Sequence, residues 1–149
     1  MVQRASGERG TRPLKASHHF DESAELRLVI RAETFGAAAV EAGRALAELV
    51  EGAAPPHGGD SEWTEIEVHA GDRAALLVEW LNELIGRAES EGWLPGEIEV
   101  LESSASRLRT RVRCRSWPSR ELPVKAATLD RARVETVPGG VIAEVTLDV

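Results

Sequence analysis

The sequence predicts an α+β domain, in which two helices pack on a largely antiparallel or mixed β-sheet in the order β-α-β-α-β-β-β-β. Three observations carry this expectation. Residues 25–32 alternate, with Leu26, Leu28 and Ile30 on one face and Arg27, Val29 and Arg31 on the other, the period of a half-buried strand. Residues 72–88 repeat apolar doublets at helical spacing: Leu76 and Leu77, Trp80 and Leu81, Leu84 and Ile85. Beyond residue 96 four strand-like segments follow one another, with no further helical pattern.

Each element has a local reason. After the first strand Thr34 caps a helix whose stripe is Phe35, Ala39, Ala42, Leu46 and Leu49. The run "EGAAPPHGGDS", residues 51–61, has the glycine, proline and small polar residues of a surface loop and ends that helix. Residues 63–70 form the next strand, with Ile66 and Val68 facing one way. Gly71 and Asp72 open the second helix, whose opposite face is kept wet by Arg73, Glu79, Asn82, Glu83 and Arg87. Four strands follow at about 97–102, 107–115, 122–136 and 141–148, with Pro138-Gly139-Gly140 as the last turn.

Residues 1–17 differ from the rest: Arg4, Arg9, Arg12 and Lys15 face only Glu8, without apolar periodicity. They read as a disordered basic tail ahead of a single domain over residues 18–149. His18 and His19 sit at its edge, and adjacent histidines in such a place make a poor metal site.

Composition bounds the function. At 149 residues, 42% apolar and 29% charged, the chain can bury a core without disulfides or a structural metal. A net charge of −7 disfavours nucleic-acid binding by electrostatics alone and favours a basic partner or a divalent cation. The single cysteine, Cys114, implies a reducing compartment, and no stretch reads as a membrane anchor or signal peptide, so a cytoplasmic protein is expected. No glycine-rich phosphate loop, CxxC, HExxH or GxSxG occurs. A hydrolase built on Cys114 or a serine with one of the four histidines is the weakest reading.

Two charge patterns remain. Arg107, Arg109, Arg111, Arg113 and Arg115 alternate with Leu108, Thr110, Val112 and Cys114, which puts five guanidinium groups on one sheet face. They suit phosphate or an acidic partner, but cross-strand pairing with Glu97, Glu99 and other acids is the preferred reading. Carboxylates also gather at strand ends: Glu22 and Glu25 before the first strand, Asp130 after the lysine-bearing "PVKAATLD", and Asp148 before Val149. Such oxygen donors suit calcium or magnesium if they converge in space; otherwise each is an exposed strand-end acid.

From about Asp21 to Val149 the chain resembles the archease family. The stretches that carry the resemblance are "VKAATLD", similar to that family's V/I-K-A-V-T-Y-H strand, "DRAALLVEWLNELIGRA", similar to its D-W-L-N-E-L helix, and the ending "VTLDV". "DESAELRLVIRAETF" falls where the family has D-H-T-A-D-I-G-I and then a helix start. The resemblance implies a non-enzymatic accessory protein of tRNA splicing and RNA repair, which activates an RtcB-type RNA ligase by promoting guanylylation of its active-site histidine. RNA or tRNA contact is then indirect. It also implies a divalent metal, calcium or magnesium, held by Glu25, Asp148 and the Val149 carboxylate, with Lys125, Glu22 and Asp130 beside it. Four residues depart from the pattern: Glu22 and Asp130 stand where the family has histidines, Glu25 where it has aspartate, and Leu129 where it has tyrosine. The family's Gly-Glu pair ahead of the lysine strand has no counterpart in "CRSWPSRELPV". An archease-fold interaction module that does not serve a ligase is the alternative.

Overall fold

In a computed structural model, which describes residues 12–22, 25–52, 62–117 and 122–149, the described residues form seven strands and two helices. In chain order they are β1 (Ser17–Asp21), β2 (Leu26–Ala32), α1 (Phe35–Glu51), β3 (Trp63–His69), α2 (Arg73–Glu91), β4 (Trp93–Ser103), β5 (Arg107–Ser116), β6 (Ala126–Val137) and β7 (Gly140–Asp148). The α+β class and both helices are as expected, and two features differ. One strand, β1, precedes the expected first one. The strands also form two antiparallel sheets rather than one, β1-β2-β7-β6 and β3-β5-β4, and both helices touch both sheets.

The helices start where side chains can satisfy their first N–H groups. Thr34 Oγ1 accepts from Ala37 N–H at 3.0 Å, and Asp72 Oδ1 accepts from Ala75 N–H at 2.9 Å. Each helix ends on a left-handed glycine, Gly52 or Gly92. The predicted doublets of α2, from Leu76 to Ile85, are all buried. Trp80 is wholly enclosed and satisfies its one polar atom by donating Nε1–H to the Ala39 carbonyl at 2.8 Å, which ties α2 to α1. Packing of α1 is closer still where it meets β4 beside Trp80 and Leu84. A methyl group at Gly43 would stand 2.5 Å from Ile98 Cδ1, so the absent Cβ lets the helix settle onto β4.

The strand β1 lies next to and partly inside the stretch read as a tail, with Phe20 as its only aromatic and no alternation of its own. Pairing supplies what periodicity does not: Ser17–Asp21 aligns with Arg31–Arg27. His18 then reaches α1, with Nδ1 2.6 Å from the buried Glu41 and Nε2 3.3 Å from Glu48. Residues 12–16 are also laid against the body, since Leu14 N–H donates to the Gly139 carbonyl at 3.0 Å. Arg4 and Arg9 of the basic segment and most of the 51–61 loop, His57 included, lie outside the described residues.

One polar residue expected on the wet face of α2 is not wet. Asn82 turns its amide onto β6, donating Nδ2–H to the Ala127 carbonyl at 3.0 Å and accepting from Ala127 N–H at 2.8 Å. β6 is a sheet edge, and the outward N–H and C=O of Ala127 would otherwise want partners. The side-chain amide matches that pair of groups atom for atom. The helix similar to D-W-L-N-E-L and the lysine-bearing segment are thereby fastened together.

Candidate functional site

The register of the four-stranded sheet decides which termini meet. β7 is an inner strand: Leu147 pairs with Leu26 of β2 on one side, and Asp148 pairs with Ala126 of β6 on the other. The start of β2, the start of β6 and the end of β7 therefore share one end of the sheet. A groove of about 480 Å³ opens there, lined by Glu25, Leu26, Thr128, Asp130, Thr146, Leu147, Asp148 and Val149. Four residues singled out from sequence, Glu25, Asp130, Asp148 and Val149, thus line the same groove. Lys125 joins through its backbone, donating N–H to the Asp148 carbonyl at 2.7 Å. Glu22 is exposed and is not among the lining residues.

The floor of the groove is irregular for a reason visible in the ladder. Thr128 pairs with Thr146 and Arg133 with Glu144, so residues 129–132 of β6 stand opposite Val145 alone. This bulge interrupts the pairing, which resumes at Arg133, and pushes its own residues outward: Leu129 is 59% exposed. Asp130 is also exposed. Within it Arg131 adopts φ +62°, the one positive-φ non-glycine among the described residues. For a residue with a Cβ that conformation costs about 1–2 kcal/mol, which the surrounding contacts must offset.

Arg131 is also the cation of the site. Its Nη1 donates to Glu25 Oε1 at 3.0 Å, and its Nε lies 4.0 Å from Asp130 Oδ2. Arg27 adds a second guanidinium 3.9 Å from Glu25 and turns its other nitrogen toward Glu144 at 3.7 Å. Glu144 in turn takes Arg133 at 2.7 Å, and this bond holds the Arg133 guanidinium above its ordinary pKa. The groove is acidic on its Asp130–Asp148 side and charge-paired on its Glu25 side.

That division bears on the metal the resemblance implies. The donors are hard carboxylate oxygens, the right chemistry for calcium or magnesium. No three His, Cys, Asp or Glu side chains among the described residues group to hold an ion, so a cation here would also need the Val149 carboxylate or backbone oxygens. Glu25 already spends its carboxylate on arginine. Sequence reasoning missed both Arg131 and Asn82. The signal for the first is the loss of alternation at Leu129-Asp130-Arg131, inside a segment read as one continuous strand; for the second there is none, since Asn82 has the spacing of a solvent-facing residue.

The arginine strand has the preferred, structural fate. Arg107 meets Glu67 and Glu102, Arg109 meets Glu65 and Glu102, Arg111 meets Glu99, Arg113 meets Glu97, and Arg115 meets Glu51 at the end of α1. Arg111 and Arg113 also stack over Trp63, at 4.3 and 5.2 Å from the ring centroid. The hydrogen bond from Arg107 holds Glu67 below the ordinary carboxylate pKa, and the bonds to Glu67 and Glu65 raise Arg107 and Arg109 above theirs. Cys114 is half-buried on the same strand, packed against the core, and His69 is held by Glu67 at 2.7 Å.

Residues 18–149 match the Archease protein family. The chain belongs to the archease family. Among solved structures it is similar to an archease from Thermotoga maritima, described there as a possible chaperone: 20% identity, 91% of this chain and 97% of that one covered, TM-score 0.60. At that identity the likeness shows the archease fold. No curated protein matches the sequence. Among the described residues no helix is long and apolar enough to cross a membrane.

Proposed function

We propose that this archease is an accessory protein that activates an RtcB-type RNA ligase in tRNA splicing or RNA repair by promoting its guanylylation, and is not itself an enzyme. The observation that carries this reading is the meeting of strand ends. Stretches far apart in sequence, each similar to a family motif, converge on one groove lined by Glu25, Asp130, Asp148 and Val149, while Asn82 fastens a fourth to the same strand. An exposed, acid-rimmed groove with an apolar Leu129 beside it suits a basic protein surface better than RNA, so contact with RNA would run through the ligase. A divalent cation, calcium or magnesium, belongs to the proposal only as a guest of the acidic side, where Asp148, Val149 and Asp130 would hold it. The cytoplasm, where such a ligase works, is the proposed compartment.

Multiple-turnover RNA ligation by the cognate ligase, with and without this protein, tests the reading. Stimulation by the wild type that drops at least tenfold in Asp148→Ala is the expected result. No stimulation by either would sink it. The alternative, an interaction module of archease fold without a ligase, is favoured by one observation: Glu25 is engaged by Arg131 where the family resemblance implies a metal ligand. A genome without any RtcB-type ligase would decide for it.

A further inference from the structure

We infer that a second pocket, at the far end of β2 from the acidic groove, binds a small organic acid: a carboxylate on an apolar body. This site goes beyond the ligase reading and does not depend on it. The pocket holds about 490 Å³ where β2 leads into α1. Phe35, Gly36 and Val40 of α1 and Val100 of β4 make its apolar walls, and its polar groups are the Thr34 and Ser103 hydroxyls and the Arg73 guanidinium. Its volume, its apolar walls and its few polar groups are those of a small-molecule site, large enough to take such an acid whole. No carboxylate lines it, the reverse of the acidic groove and notable in a chain of net charge −7.

Arg73 sets the charge of the ligand. The arginines of β5 all meet glutamates, whereas the Arg73 guanidinium has no hydrogen-bond or ion-pair partner among the described residues. It lies over the Phe35 ring, 5.8 Å from the centroid, a contact that holds it at the pocket and leaves its N–H donors unspent. The adjacent Asp72 is turned to the Ala75 N–H instead, and Glu33 is not among the lining residues. Gly36 is an independent mark of an occupant. Glycine weakens a helix relative to alanine, and packing explains it at Gly43 but not at Gly36, where a methyl group would stand at an ordinary 3.5 Å from Val100. What the bare Cα preserves there is the space of the pocket. An acid whose apolar body rests on Phe35, Val40 and Val100 has its carboxylate met by Arg73 and the Ser103 hydroxyl.

The test is titration of the isotope-labelled full chain with phenylbutyrate and with its neutral analogue phenylbutyramide, followed by the backbone amide NMR signals. The acid should shift the amides of Gly36, Val40, Val100 and Ser103 saturably, and the amide compound should bind about fivefold more weakly, the upper worth of one exposed charge pair. In Arg73→Gln the acid should fall to the level of its neutral analogue. Arg31→Gln removes the same charge from an exposed residue outside the pocket and should bind like wild type. Gly36→Ala should fold normally and bind both probes more weakly, since its methyl group takes up part of the pocket. No saturable shift with the acid at millimolar concentration, equal binding of acid and neutral analogue to the wild type, or the same loss in Arg31→Gln overturns the site. A blocked Leu-Glu-Leu peptide that shifts these amides where phenylbutyrate does not overturns the small acid in favour of a protein partner.

Discussion

The two sheets handle charge in opposite ways. On the three-stranded sheet five arginines alternate along β5, and each faces glutamates on β3, β4 or α1. At one end of the four-stranded sheet the acids Asp130 and Asp148 share a groove with Glu25, where Arg131 and Arg27 pair with Glu25 and Arg131 also approaches Asp130. The three-stranded sheet keeps its charges paired even across two register shifts of the β4–β5 ladder, because Glu97 and Glu102 still reach Arg113 and Arg109, and the result is a scaffold whose charge is internally balanced. The bulge at residues 129–132 instead turns Asp130 outward, where it stays exposed. A conspicuous run of arginines is thus less informative here than a lapse in alternation.

The largest effect that would test this contrast comes from Asn82. In Asn82→Ala the Ala127 N–H and C=O lose both partners beside the core, which should cost about 2 kcal/mol in urea denaturation. Because Ala127 lies one residue from groove-lining Thr128, ligase stimulation should fall with it. If stability drops and stimulation holds, the clasp is scaffold alone.

A smaller effect belongs to the ladder. Glu67 titrates below its ordinary value of 4.5 because of its hydrogen bond to Arg107. A carboxylate with a depressed folded pKa contributes stability that is present above 4.5 and lost as the pH falls through the lower folded value. Unfolding followed from neutral pH to about pH 3 should therefore show a shallower acid-side decline in Glu67→Gln than in wild type. Identical slopes would mean that the ladder is balanced on paper only. The smallest effect, and one of opposite sign, is expected at Asp130, which is exposed among other acids. Asp130→Asn should leave stability unchanged or raise it by up to about 0.5 kcal/mol at low ionic strength, a gain that added salt removes.

Much of this was legible in the sequence for stated reasons. Thr34 and Asp72 cap helices because their oxygens can reach an N–H three residues on, which is a local property. The doublets of α2 and the alternation of β2 and β5 follow from burial on one face. Glu25, Asp130 and Asp148 could be named as strand-end acids, but their meeting depends on β7 pairing with both β2 and β6, a fact of topology. β1 escaped notice because its order comes from β2 and from Glu41 and Glu48 holding His18. Arg131 escaped because a left-handed arginine in a bulge has no compositional mark. Lys125, the conspicuous cation of its segment, meets the site through its backbone, and the guanidinium on Glu25 is that of Arg131.

Gly43 carries a consequence for anyone engineering this archease. Replacing helical glycines by alanine is a common route to a firmer protein, since it trims the freedom of the unfolded chain. In α2, Gly86 offers open space for that change, with nothing within 4 Å of the new methyl group. In α1, the same exchange at Gly43 would put a methyl 2.5 Å from Ile98 Cδ1, so the Ile98 side chain would have to shift to admit it. At the seam between α1 and β4 the gain from a stiffer backbone is thus set against the cost of repacking one side chain.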